Sequence, residues 1–119
     1  MYSQEEPVYV DAARRAIAYL EARYVHDGLH HGADWRDTMH EVLADKPLLT
    51  NNALYYQTLQ QIGYTSDSVL LRQKILQTHI KDGRVLDYPG SDRFDPLGAS
   101  FAVLFNVFSP EHYAGIIQQ

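Results

Sequence analysis

Groups able to do chemistry concentrate between His26 and Thr50. The run Gly28-Leu-His-His-Gly-Ala-Asp34-Trp35-Arg36-Asp37-Thr-Met39 sets two carboxylates around a Trp–Arg pair. A sugar site uses these residue types. An indole offers an apolar plane to a pyranose face, while carboxylates and a guanidinium hydrogen-bond its hydroxyls. Cleavage of a glycosidic bond needs one carboxylic acid to protonate the departing oxygen and a second carboxylate to act from the other side. Burial beside Trp35 raises the pKa of such an acid and the Arg36 charge lowers it, so the two effects compete. A solvated polar loop with Trp35 tucked into the core accounts for the same residues without catalysis.

His26, His30, His31 and His40 lie in the same segment, with Asp34 and Asp37 between them. Imidazole and carboxylate are good ligands for zinc and other divalent ions. The spacing matches no metal motif, and Gly28 and Gly32 oppose a helix that would put two imidazoles on one face. Histidines at a surface or pocket rim are therefore the preferred reading, and no cofactor or metal is expected. A small His/Asp metal-binding helical protein stands as the alternative.

Helices must position this segment. Val10, Ala13, Ile17, Leu20 and Tyr24 recur at spacings of three and four, which predicts a helix over 7–25. A second helix fits 51–63, capped by Thr50 or Asn51 and ended by Gly63. A third fits 67–81, capped by Ser66 or Asp67, and Asp82-Gly83 marks a tight turn after it. Residues 85–95 read as extended or looped. A fourth helix fits 96–108, with Asp95 as N-cap and Pro96 at its first position. Ser109-Pro110-Glu111 repeats that start signal. The fold class is all-α, built of sequential helical hairpins with long loops after the first and third helices. No tandem repeat of fixed period is visible.

Composition narrows the partners. Ten Lys and Arg against fifteen Asp and Glu give a net charge of −5, and the basic residues are scattered. Neither nucleic acid nor an anionic membrane is an expected partner. No cysteine is present, so disulfides and thiolate metal sites are excluded. The N-terminal MYSQEEPVYV has no signal-peptide pattern and no apolar run approaches a membrane span, so a cytoplasmic setting is expected.

Asp34-Trp35-Arg36-Asp37-Thr-Met39, followed by Leu49-Thr-Asn-Asn52-Ala53-Leu54-Tyr55-Tyr56-Gln-Thr-Leu59, resembles the active-site strip of glycogen-debranching (amylo-α-1,6-glucosidase-like) six-hairpin glycoside hydrolases. In those enzymes a Thr-Trp-Met-Asp-like loop precedes an Asn-Ala-Leu-aromatic-Tyr helix. Asp92-Arg-Phe94-Asp95-Pro-Leu-Gly-Ala-Ser-Phe101 with Ser109-Pro110-Glu111 is similar to the next hairpin of that fold. The resemblance implies helical hairpins forming part of an (α/α)₆ toroid, with residues 1–119 as a partial domain. It implies a carbohydrate substrate with α-glucosidic linkages and Asp37 as general acid. Asp34, Trp35, Arg36, Asn52, Tyr55 and Tyr56 fall on substrate-binding positions. Tyr55 and Tyr56 point in different directions, so one is expected in the core and the other towards the barrel axis. Asp34 and Arg36 replace the Thr and Met of the family pattern, which leaves Asp34 as the other candidate for the acid. About two and a half hairpins are visible and the base carboxylate is not. An uncovered helical face therefore predicts self-association or a partner chain, and little activity for the chain alone. A non-catalytic carbohydrate-binding or assembly fragment is the second alternative.

Overall fold

The structure is a computed structural model and describes residues 6–34 and 43–112. Four main helices dominate: α1 (Glu6–Tyr24), α2 (Leu49–Gln61), α3 (Thr65–Thr78) and α4 (Pro96–Leu104). Two small antiparallel hairpins interrupt them, β1 (Val25–His26) with β2 (Leu29–His30) and β3 (Ile80–Lys81) with β4 (Arg84–Val85). The described residues are mostly helical, as expected of an all-α chain, with these four short strands the exception among them. α1 and α3 stop one and three residues before the expected bounds of 25 and 81 because the chain turns there into β1 and β3.

The two halves are built alike, which sequence inspection did not reveal. Asp27 and Asp82 both have φ 54°, and the glycines after them have φ 80° and 75°. These two-residue turns need left-handed backbone at both positions, which an Asp-Gly pair supplies. Val25 pairs with His30, and Ile80 pairs with Val85. One further bond closes each hairpin onto the helix before it: the His31 amide donates to the Tyr24 carbonyl at 2.7 Å, and the Leu86 amide to the His79 carbonyl at 2.7 Å. Helix end, hairpin and closing bond thus recur 55 residues apart. The connections that follow, 31–48 and 86–95, differ in length by eight residues. That difference hides the repeat from a search for one period.

The paired helices also end alike. In α2 the Gly63 and Tyr64 amides donate to the Gln60 and Leu59 carbonyls, with Gly63 at φ 81°. In α4 the Asn106 and Val107 amides donate to the Val103 and Ala102 carbonyls, with Asn106 at φ 63°. Both are Schellman terminations, a left-handed residue satisfying the last free carbonyls. The left-handed Asn106 is why α4 stops at Leu104 and not at 108.

α2 is the central element. Leu49, Ala53, Tyr55, Tyr56 and Leu59 are buried along it, and they join Leu71 and Ile75 of α3 and Ala99 and Ala102 of α4 in one core. α2 and α4 lie side by side and parallel, because Thr50 and Asp95 meet at their N-terminal ends. α1 and α3 run the other way. The Tyr55 hydroxyl meets Glu21 near the end of α1, and His79 after α3 reaches Pro47 just before α2. Gly98 allows the close approach of α4. A Cβ there would stand 2.6 Å from Asp95 Oδ2 and 3.0 Å from Thr50 Oγ1.

Candidate functional site

The antiparallel arrangement brings both long connections to one end of the molecule, around the N-terminus of α2. Two adjacent asparagines fix the first of them. Asn52 is fully buried; its Nδ2 donates to the His30 and Leu48 carbonyls at 2.9 Å each, and its Oδ1 accepts from the His30 amide at 2.8 Å. Asn51 donates from Nδ2 to the Gly32 and Ala33 carbonyls at 3.0 and 3.3 Å. The base of the loop that carries Asp34 is therefore pinned to the first turn of α2. The Gly32 amide also donates to the Lys46 carbonyl at 3.0 Å, which ties the two ends of the loop together.

The second connection closes the same end. The Leu49 amide donates to the Asp87 carbonyl at 2.8 Å. This satisfies one free donor of α2, whose N-cap is Leu48 without a side-chain cap, in place of the expected Thr50 or Asn51. The α3 cap is likewise Tyr64 and not Ser66 or Asp67. Asp95 caps α4 as its sequence signal predicts, accepting from the Leu97 amide at 3.2 Å and from the Thr50 hydroxyl at 2.7 Å. The Lys46 ammonium lies 5.5 Å from the centre of the Tyr88 ring.

Two histidines belong to this end. His79 is fully buried, and its Nε2 lies 2.6 Å from the Pro47 carbonyl, which can only accept, so Nε2 carries a proton. Nδ1 lies 2.8 Å from the Thr78 hydroxyl, itself 2.7 Å from the Lys74 carbonyl. Burial pushes the His79 pKa below the ordinary range, while the Pro47 carbonyl and the charge of Asp87 oppose that shift. His30 is lowered as well, by burial first and the neighbouring His31 second. Its Nδ1 is buried and has no hydrogen-bond partner.

His30 and Leu20 face two clefts. One, of about 420 Å³, is lined by Leu20, Tyr24, His30, His31, Gly32, Ala33 and Ala44. The other, of about 370 Å³, runs between α1 and α2 past Ile17, Leu20, Asn51, Leu54 and Tyr55. Volumes of this size fall at the lower end of the range of small-molecule pockets, about 300–1,000 Å³. The His31 Nδ1 donates to the Leu29 carbonyl at 2.9 Å. The first cleft is thus lined by the aromatic residues Tyr24, His30 and His31, with Asp34 following its Ala33 wall in the chain.

The predicted site residues fall at different depths. Asp34 is half-buried and follows Ala33, a lining residue of the first cleft. Trp35, Arg36 and Asp37 lie outside the described residues. Asn52 sits beneath the rim with its amide turned to main chain. Tyr55 and Tyr56 are both buried, at 9% and 8% exposure, where one was expected to face the barrel axis. The Tyr55 hydroxyl donates to Glu21 at 2.6 Å, and burial followed by this bond raises its pKa. Sequence reasoning missed Asn51, which holds the loop, and the buried His79. Their signal was only that polar residues stand on otherwise apolar faces. Among the described residues no three His, Cys, Asp or Glu side chains could together hold a metal ion, and no helix is long and apolar enough to cross a membrane. No family model matches this chain, and neither does any curated protein or solved structure.

Proposed function

We propose that this chain forms hairpins of an (α/α)-toroid glycoside hydrolase that acts on α-glucosidic linkages, with its sugar site at the N-terminal end of α2. The observation that carries the reading is the repeated unit of helix, Asp-Gly hairpin, connection and parallel inner helix, with both connections at the same end. Such a layout, continued around a ring, sets every inner-helix N-terminus on one rim. In this reading Asp37 donates the proton to the leaving oxygen, Trp35 stacks on the sugar, and Asp34 and Arg36 hold hydroxyls. Asn52 acts through the hairpin it clamps, and Tyr55 and Tyr56 support the wall of the site from within. Carbohydrate is the partner, and the setting is cytoplasmic.

The chain holds one tryptophan, so its fluorescence reports on position 35 alone. Titration with maltotriose or isomaltotriose is expected to shift the Trp35 emission saturably, and Trp35→Ala should lose binding measured by calorimetry. No change in emission and no heat with either sugar overturns the reading. Turnover of a nitrophenyl α-glucoside is expected to be slight for the chain alone. General-acid help is worth about 10²–10⁴-fold, and the partner carboxylate is not among the residues assigned here.

A further inference from the structure

The two Asp-Gly hairpins share a frame and differ in what they carry. Val25 to His31 matches Ile80 to Leu86 position for position, through the same register and the same closing bond. Where the first hairpin has His26 and His31, the second has Lys81 and Leu86. The frame forms equally well without imidazoles at these places, so the histidine pair is not what builds it.

The register brings the pair together. His26 opposes Leu29, and His31 stands two residues beyond Leu29, with its amide bonded to the Tyr24 carbonyl. His26 and His31 are thus diagonal neighbours on the hairpin, within reach of each other for ring side chains. Their ring centres are 5.4 Å apart and the rings are inclined at 61°, so they do not lie stacked face to face. An ion at about 2.0–2.1 Å from one nitrogen of each imidazole lies roughly 3.2 Å from each ring centre, and a tetrahedral angle then sets the two centres about 5.2 Å apart. The observed separation is close to that value.

His31 is also held as a metal ligand is held. Its Nδ1 donates to the Leu29 carbonyl at 2.9 Å. Ligating histidines carry such a bond on the nitrogen away from the ion; it fixes the tautomer and leaves the lone pair of the neutral ring on Nε2. His26 is exposed, and its side chain makes no hydrogen bond among the described residues, so its ring can turn towards a shared ion. The backbone between the two is fixed by the left-handed turn at Asp27-Gly28 and by the Asn52 clamp on His30.

We propose that His26 and His31 together bind a divalent transition-metal ion of the zinc, nickel and copper class, with Nε2 of His31 as one ligand and water in the remaining positions. Two protein ligands, not three, make this an open site, beside the cleft that His31 lines. The net charge of −5 favours a cation. The ion requires neither sugar nor catalysis.

Zinc chloride titrated into the tag-free chain tests this. Calorimetry is expected to give one site per chain. His26→Ala and His31→Ala should each abolish it, because either change leaves a lone imidazole, while His112→Ala should bind as the unmodified chain does. In NMR spectra of the histidine rings, zinc should shift His26 and His31 together and leave His79 and His112 in place. The second hairpin offers a gain of function: Lys81→His/Leu86→His places the same pair on the same frame and should add a second zinc site. A chain that takes up no zinc overturns the proposal. So does binding that survives the loss of both His26 and His31, or a Lys81→His/Leu86→His chain with an unchanged circular dichroism spectrum and no second site.

Discussion

The two connections between antiparallel helices start from the same hairpin and end at parallel helices, yet they are held differently. The second, 86–95, is fastened by its own residues: Asp87 and Asp95 are buried, and Asp95 caps the helix it enters. The first, 31–48, enters α2 through Leu48 without a capping side chain. Besides its own bond from Gly32 to Lys46, it is held by residues that lie outside it: Asn51 and Asn52 bond to residues 30–33, and the Asp87 carbonyl accepts from the Leu49 amide at the start of α2. One loop thus does the holding for both.

This contrast can be broken at its clamp. Asn52→Ala should be the most damaging change, since it strips three hydrogen bonds and takes the side-chain partner from both the amide and the carbonyl of His30, while the Leu48 carbonyl keeps the amide of residue 52. At roughly 1–3 kcal/mol for an unsatisfied buried group, a loss of about 3 kcal/mol or more is expected in urea unfolding. With the helix starts aligned, Pro96 on Leu49, the image of Asn52 in the second unit is Ala99, which has no clamp to lose. Gly98→Ala comes next. A methyl group meets Asp95 and the Thr50 backbone, and overpacking of this kind costs about 1–3 kcal/mol, against roughly 1 kcal/mol gained from helix propensity. Asp95→Ala should cost about 1–2 kcal/mol through the lost cap, with the Thr50 hydroxyl left unpaired. No side chain at the start of α2 offers a matching cap to remove.

The smallest expected effect is a dependence on pH. His79 and His30 have folded pKa values below the unfolded value of 6.5. The unfolded chain therefore binds their protons first as pH falls, and stability is lost from about pH 6.5 downward until the folded groups also titrate. The urea midpoint should fall between pH 7 and the onset of carboxylate titration. His79→Gln should flatten that fall, and an unchanged slope would contradict the burial described for this ring.

Local chemistry was legible in the sequence and distant chemistry was not. The pair Asp95-Pro96 announced the cap and first residue of α4, and Gly63 announced the end of α2, because each signal acts within a few residues. The cap of α2 was misplaced because its acceptor is the Asp87 carbonyl, which lies 38 residues away in the chain. Asn52 read as a pocket residue because its position on α2 is visible, whereas its bonding to a hairpin 22 residues earlier is not. The repeat escaped notice because Asp27-Gly28 stood in a segment without hydrophobic period, while Asp82-Gly83 was plain as a turn after a helix.

The sparse attachment of α1 has a consequence for how the molecule comes apart. Among the residues 9–24 whose burial is described only Ile17 is buried, and the described polar ties of α1 to α2 are the Arg14 bond to the Ile62 carbonyl and the Glu21 bond to Tyr55. Few apolar contacts and exposed backbone bonds define a segment that opens by itself, well below the free energy of global unfolding. Amide protons of α1 should therefore exchange with deuterium earlier than those of α2, at rates that do not follow the denaturant dependence of the whole. Trypsin should find Arg14, Arg15 and Arg23 while the peptide bonds of α2 to α4 remain protected. The helix that flanks the cleft at His30 would then be the first to leave, and the hairpin behind it would keep its grip on Asn52.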